Sequence, residues 1–175
     1  AGIKMCESYY RQYNCNFISA MPTNLYGIND NFDLKTSHVL PALIRKVHEA
    51  KVNKQKQITI WGTGKPLREF LFVDDLAEAC IHIIYNLDAK KMYDEMNISH
   101  LNVGYGSDIS ILDLTNMVVE VVGFSGQINN DLTKPDGTPK KLMDSSRLKK
   151  LGWKPKHTLH EGIEKTYQWY LKNFK

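Results

Sequence analysis

The sequence has 175 residues, 42% of them apolar and 24% charged, proportions that suit a soluble globular protein with room for a real core. Its net charge of 23 − 19 = +4 is modest and its signs are interleaved, which argues against a dedicated nucleic-acid arm. No apolar run reaches the ~18 to 20 residues that span a bilayer, so no integral membrane segment is expected. The three cysteines, Cys6, Cys15 and Cys80, are odd in number and lack metal-ligand spacing, and the start has no basic-then-apolar leader. A reduced, cytoplasmic setting follows as the expectation. The chain opens on Ala1, and its first residues already read as mid-helix, so a piece of a longer protein is expected.

In chain order, Ile3, Cys6, Tyr9, Tyr10 and Tyr13 recur at helical spacing and predict a helix over 1–13, stopped by Asn14 to Asn16. Phe17 to Met21 is a short apolar run ended by Pro22, and the polar stretch Thr23 to Asp33 reads as a loop after a strand's carboxyl end. That is where α/β proteins keep their chemistry. Val39, Leu40, Leu43, Ile44 and Val47 predict a helix over 37–51, with Ser37 as N-cap, Pro41 in the first turn and His38 at its opening. Gln57 to Trp61 alternates as a strand, Gly62 to Gly64 turns the chain, and Glu69 to Val73 predicts a second strand. Asp74 then caps an apolar helix to about Leu87. Leu101 to Val103 reads as a strand, and a turn at Gly104 and Gly106 leads into a helix over 111–122, capped by Ser110 or Asp108 and ended by Gly123. Gln127 to Asn130 predicts a short strand. A proline- and glycine-rich loop spans 134–141, and helices follow near 145–151 and 159–174. Strands alternating with helices mean an α/β fold.

Several residues invite a chemical reading. Arg68, alone among apolar neighbours in what reads as a hairpin, is either paired with Glu69 or aimed at a ligand phosphate. His38 is either a surface histidine or a general acid, since the positive end of a helix dipole favours proton release from a charged ring. Pro22 to Leu25 is a strand stop or a pocket wall, and Trp61 a core aromatic or a ligand platform. The Lys134–Lys141 loop is a solvated turn or a fixed carboxylate, Asp136, beside Lys141. The other histidines form no ligand cluster, so no metal is expected.

The run Trp61-Gly62-Thr63-Gly64-Lys65-Pro66-Leu67-Arg68-Glu69-Phe70-Leu71-Phe72-Val73-Asp74-Asp75-Leu76 resembles the extended short-chain dehydrogenase/reductase superfamily, which modifies nucleotide-linked sugars. Pro22-Thr23-Asn24-Leu25-Tyr26-Gly27 with Asp30-Asn31-Phe32, Ser37-His38-Val39-Leu40-Pro41-Ala42-Leu43, and Lys134-Pro135-Asp136-Gly137-Thr138-Pro139-Lys140-Lys141 extend the likeness nearly end to end. Together they resemble its GDP-4-keto-6-deoxy-D-mannose 3,5-epimerase/4-reductase branch, which uses NADP(H). The resemblance implies that His38 is the acid of epimerisation and that Pro22, Thr23, Asn24, Leu25 and His38 border the cofactor's nicotinamide end. It implies sugar-nucleotide contacts from Lys46, Trp61, Arg68, Asp136 and Lys141. Many family members carry Arg at the position of Lys46, and a lysine there meets a diphosphate without the bidentate fork.

By the same resemblance, 1–33 is the end of an NADP-binding Rossmann domain. Residues 34–175 are mainly a substrate-binding domain, with segments near 70–105 returning to the Rossmann sheet. Family members are typically dimers. The superfamily's glycine-rich phosphate turn, its Tyr-x-x-x-Lys pair and this branch's catalytic cysteine have no counterpart in the sequence. The chain is therefore expected to be the carboxyl-terminal part of the enzyme, a little over half, and inactive alone. Two rival readings are an NAD-dependent sugar 4-epimerase or dehydratase of the same superfamily, and a non-catalytic nucleotide-binding module.

Overall fold

The computed structural model describes residues 1–174. Helix α1, Gly2–Tyr13, stops where Asn14 turns left-handed at φ 55° and its amide closes on the Tyr10 carbonyl, a conformation asparagine tolerates better than most residues. The chain then enters β1, Ala20–Pro22, which pairs in parallel with β6, Leu101–Val103.

Thr23 is a hinge between sheets. Its amide still donates to the Val103 carbonyl, but the next residues leave to form β2, Asn24–Tyr26, parallel to β5, Phe70–Phe72. The expected loop over 23–33 thus begins with a strand. Leu25 and Tyr26 supply the apolar surface that holds it, and the polar residues beside them hide it in the sequence.

Helix α2 is Val39–Val52, and its N-cap is His38 rather than Ser37. The turn before it is organised by Asp33, whose Oδ1 accepts from the amides of Lys35 and Thr36 while its carbonyl accepts from the Ser37 amide. Ser37 is thereby used up in the turn, and its hydroxyl is buried without a hydrogen-bond partner among the described residues. Pro41 occupies the third helical position, where its missing donor leaves no intrahelical bond unmade.

Strand β3, Gln57–Trp61, does not fold back on the strand after it. It pairs in parallel with β8, Gln127–Asp131, so the expected hairpin is not formed. The second strand is split at Glu69. β4, Leu67–Arg68, lies between β7, Ile109–Ser110, and β9, Lys140–Lys141, while β5 joins β2. Helix α3, Val73–Asn86, begins one residue beyond β5 with Phe72 as N-cap. Asp74 and Asp75 therefore sit in its first turn, where the helix dipole favours acids. Helix α4, Ile111–Val122, is capped by the Ser110 hydroxyl and ended by left-handed Gly123. A single π-type turn at Lys91–Glu95 buries Met92 and Tyr93. Helices α5, Ser146–Lys150, and α6, Leu159–Asn173, close the chain, α6 with a capping box between Thr158 and Glu161.

The apolar residues gather into two cores. One joins Tyr26, Phe32, α2, Ile58, Ile60, Phe70, Phe72, α4 and α6. The other joins Leu71, α3, Met92, Tyr93, Leu101, Val103, Leu148 and Trp153. Alternation along a strand sends successive side chains to opposite faces, so β5 sends Phe70 and Phe72 into the first core and Leu71 into the second. β2 does the same with Tyr26 and Leu25. The β2–β5 pair is the wall the two cores share. No helix among the described residues is long and apolar enough to cross a membrane.

Candidate functional site

A cleft of about 510 Å³ opens where the chain changes sheets, lined by Thr23, Asn24, Leu25, Tyr26, Gly27, Ile28, Asn29, Asp30, His38 and Val73. Its near wall is tied down by hydrogen bonds. The Asn24 carboxamide donates to the Glu69 carbonyl at 2.7 Å and the Thr23 hydroxyl donates to the same oxygen at 3.3 Å. Its floor is a close approach. Gly27, at φ 154°, packs so tightly on the start of α3 that a Cβ there would come within 2.5 Å of Val73 Cγ1. On the far side His38 sits exposed at the N-cap of α2 and makes no side-chain cap bond. Its ring is free to serve a ligand.

Asp30 shares this cleft, and its sequence context of turn-forming asparagines hid it. Partial burial pushes its carboxyl up, against bonds from the Asn31 and Gly27 amides and the charge of His38. Asp30 and the His38 imidazole thus give the cleft two groups able to carry a proton.

A second group forms at the carboxyl end of β3. Asp136 accepts from the Thr63 amide at 2.8 Å and from its hydroxyl at 2.7 Å, bonds that hold the carboxyl below its ordinary range. The 134–141 loop is therefore docked on the 62–64 turn. Gly62 makes that possible, since its φ is 67° and a Cβ would fall 2.2 Å from Asp136 Oδ1. Trp61 is 69% exposed, so it is not a core aromatic, and the Lys134 ammonium lies 5.7 Å from its ring centre.

Arg68 is not paired with Glu69. Its Nη1 donates to the carbonyls of Leu67 and Thr138, while the Glu69 side chain turns the other way and is fully buried. Arg68 instead faces Lys141 in register across the parallel β4–β9 ladder, which puts both cations on one face. Like charges directly opposite each other repel. An anion between them would remove that repulsion.

The sites predicted from sequence thus fall in three places. Thr23, Asn24, Leu25 and His38 line the cleft, with Pro22 ending β1 just before it. Trp61, Arg68, Asp136 and Lys141 make the second group, outside the cleft walls but joined to them at the Arg68–Glu69 peptide. Lys46 stands apart. It is half-buried on α2, its ammonium donates to the Thr59 carbonyl at 2.9 Å, and desolvation pushes its pKa down. It lies eight residues beyond His38, about 12 Å along the helix at 1.5 Å per residue.

Parallel strand pairs, crossing helices and a crevice at the strands' carboxyl ends define an α/β protein of Rossmann type. The chain belongs to the NAD dependent epimerase/dehydratase family, which matches residues 1–99, more than half of its length. It is 54% identical over 173 residues to GDP-L-fucose synthase 1 of Arabidopsis thaliana, covering 99% of this chain and 51% of that protein. Among solved structures, a GDP-6-OMe-4-keto-L-xylo-heptose reductase from C. jejuni superposes with a TM-score of 0.91 at 39% identity, covering 98% of this chain and 58% of that one. A GDP-L-fucose synthetase from Naegleria fowleri bound to NADP superposes with a TM-score of 0.83 at 28% identity, covering 98% and 54%. The chain spans about half the length of the curated relatives it matches.

Proposed function

We propose that this chain carries the sugar-nucleotide side of an NADPH-dependent GDP-L-fucose synthase activity, which converts GDP-4-keto-6-deoxy-D-mannose to GDP-L-fucose by 3,5-epimerisation and 4-keto reduction. The observation that carries the reading is the register of Arg68 with Lys141 in the β4–β9 ladder, which sets two cationic residues opposite each other, with exposed Trp61 at the end of the neighbouring sheet. A nucleoside diphosphate supplies what that pair lacks, two negative charges and a flat base for the indole. The names of the similar proteins, a GDP-L-fucose synthase and a GDP-linked keto-heptose reductase, support guanine as the base and a keto sugar as the cargo.

In this reading Asp136 and Thr63 fix the nucleotide end, Arg68 and Lys141 hold the diphosphate, and the sugar reaches past the Arg68–Glu69 peptide into the cleft. Lys46 adds positive charge along α2. His38 returns a proton to carbon on the face opposite the one from which it was removed, and Asp30 lines the same cleft. The cleft's volume of about 510 Å³ and its polar wall of Thr23, Asn24, Asp30 and His38 leave room for the nicotinamide end of NADP next to the sugar. Pro22, Thr23, Asn24, Leu25 and His38 would border that end, whose chemistry when bound is hydride delivery at C4. Residues 1–33 and the core around α3 would belong to the cofactor domain, and the core around α2, α4 and α6 to the sugar domain. Neither the glycine-rich turn nor the Tyr-x-x-x-Lys pair occurs in these 175 residues, and in this reading hydride transfer depends on residues outside them.

Calorimetric titration of the chain with GDP and UDP tests the reading. GDP is expected to bind more tightly, and Arg68→Ala to remove most of that affinity. Equal affinity for the two nucleotides, or indifference to Arg68→Ala, would overturn it.

A further inference from the structure

Glu69 is the most heavily committed residue of the site, and no step of the chemistry above uses its side chain. Its side chain is 0% exposed, yet its salt-bridge partners among the described residues number none. A buried carboxylate without a cation must be met by other donors. Oε1 accepts from the Gly106 amide at 2.7 Å and Oε2 from the Met143 amide at 3.2 Å. Gly104 leaves the space these bonds need, because a Cβ there would fall 2.5 Å from Oε1.

The two amides belong to different walls of a groove of about 660 Å³ bounded by Gly104–Gly106 and Leu142–Ser146. Met143 lies two residues beyond Lys141, and the Glu69 carbonyl is the oxygen that receives Asn24 and Thr23. Arg68 is the preceding residue. One residue therefore ties together the cleft wall, the arginine and the segment carrying Lys141, through its carbonyl on one side and its carboxylate on the other.

We propose that Glu69 is a positioning residue, which sets the separation between the cleft and the diphosphate-facing cations by anchoring three chain segments at once. The proposal rests on the GDP-sugar reading for what is being positioned, while the anchoring stands by itself. The carboxylate matters because it offers acceptors on both sides. In Glu69→Gln one acceptor becomes an NH₂ group, which then meets an amide N–H, donor against donor.

The test is amide hydrogen exchange and GDP titration on the 175-residue chain and three variants. Glu69→Gln is expected to speed exchange at Gly106 or Met143, with β5 still protected, and to weaken GDP binding by roughly tenfold. Gly104→Ala displaces the same carboxylate without altering it, and is expected to reproduce both effects. Thr166→Val removes a buried hydroxyl that bonds the Gly162 carbonyl inside α6. It is expected to lower stability while leaving GDP affinity unchanged, which separates positioning from general loosening. If the wild-type chain binds no GDP, the GDP-sugar reading fails and exchange alone decides the anchoring. Unchanged exchange at both amides in Glu69→Gln, or GDP affinity equal to wild type in that variant, overturns the proposal.

Discussion

At the scale of single residues, the site is built from acids whose environments pull in opposite directions. Asp30 is pushed up by burial and Asp136 is held down by Thr63. A carboxyl whose folded pKa is depressed adds stability that is present above its unfolded value and is lost as the pH falls through the folded one. The docking of the 134–141 loop should therefore persist at neutral pH and weaken below about pH 4. Trp61 reports on it, since the loop brings Lys134 to its ring. Acid titration of Trp61 emission, read in a Trp153→Phe, Trp169→Phe background, is expected to show a transition in that range which Asp136→Asn abolishes. A transition unaffected by Asp136→Asn would refute the assignment. Residue chemistry marks His38, Trp61, Arg68 and Asp136 in the sequence, but only the family resemblance, and no local pattern, groups Trp61, Arg68, Asp136 and Lys141 around one ligand. The contacts that group them span 73 residues for Thr63 with Asp136 and 70 for Arg68 with Thr138, and no local pattern encodes such pairings.

At the scale of elements, legibility followed length and caps. Helices α2, α4 and α6 each repeat apolar residues over three or more turns, and Ser110 and Gly123 mark ends that the structure uses. Strand β2 escaped because its two apolar residues serve different cores, which erases the alternation by which a half-buried strand is recognised. The hairpin was misread for a related reason. A glycine turn between two strands predicts that they pair, but β3 and β5 each find a parallel partner elsewhere. Gly27 locks β2 against α3, and the expected effect of Gly27→Ala is a loss of about 1–3 kcal/mol from strain and overpacking. Urea unfolding measures it. A midpoint equal to wild type would show that the loop can retreat from Val73 without loss.

At the scale of the whole molecule, the shared wall predicts that the two cores unfold as one cooperative unit. Leu71→Ala empties the second core and Phe72→Ala the first, each at an expected 2–5 kcal/mol, yet both should shift a single transition seen alike by far-ultraviolet circular dichroism and tryptophan fluorescence. Separate transitions for the two probes would mean that the cores unfold independently. Strand β1 carries a different message. All three of its residues are exposed, and it has one ladder partner among the described residues. Parallel sheets are ordinarily sheltered on both faces, so concentrated solutions of the chain would tend to stack copies through this bare margin. Any polypeptide that laid a neighbouring strand along it would suppress that stacking and raise the melting temperature by mass action.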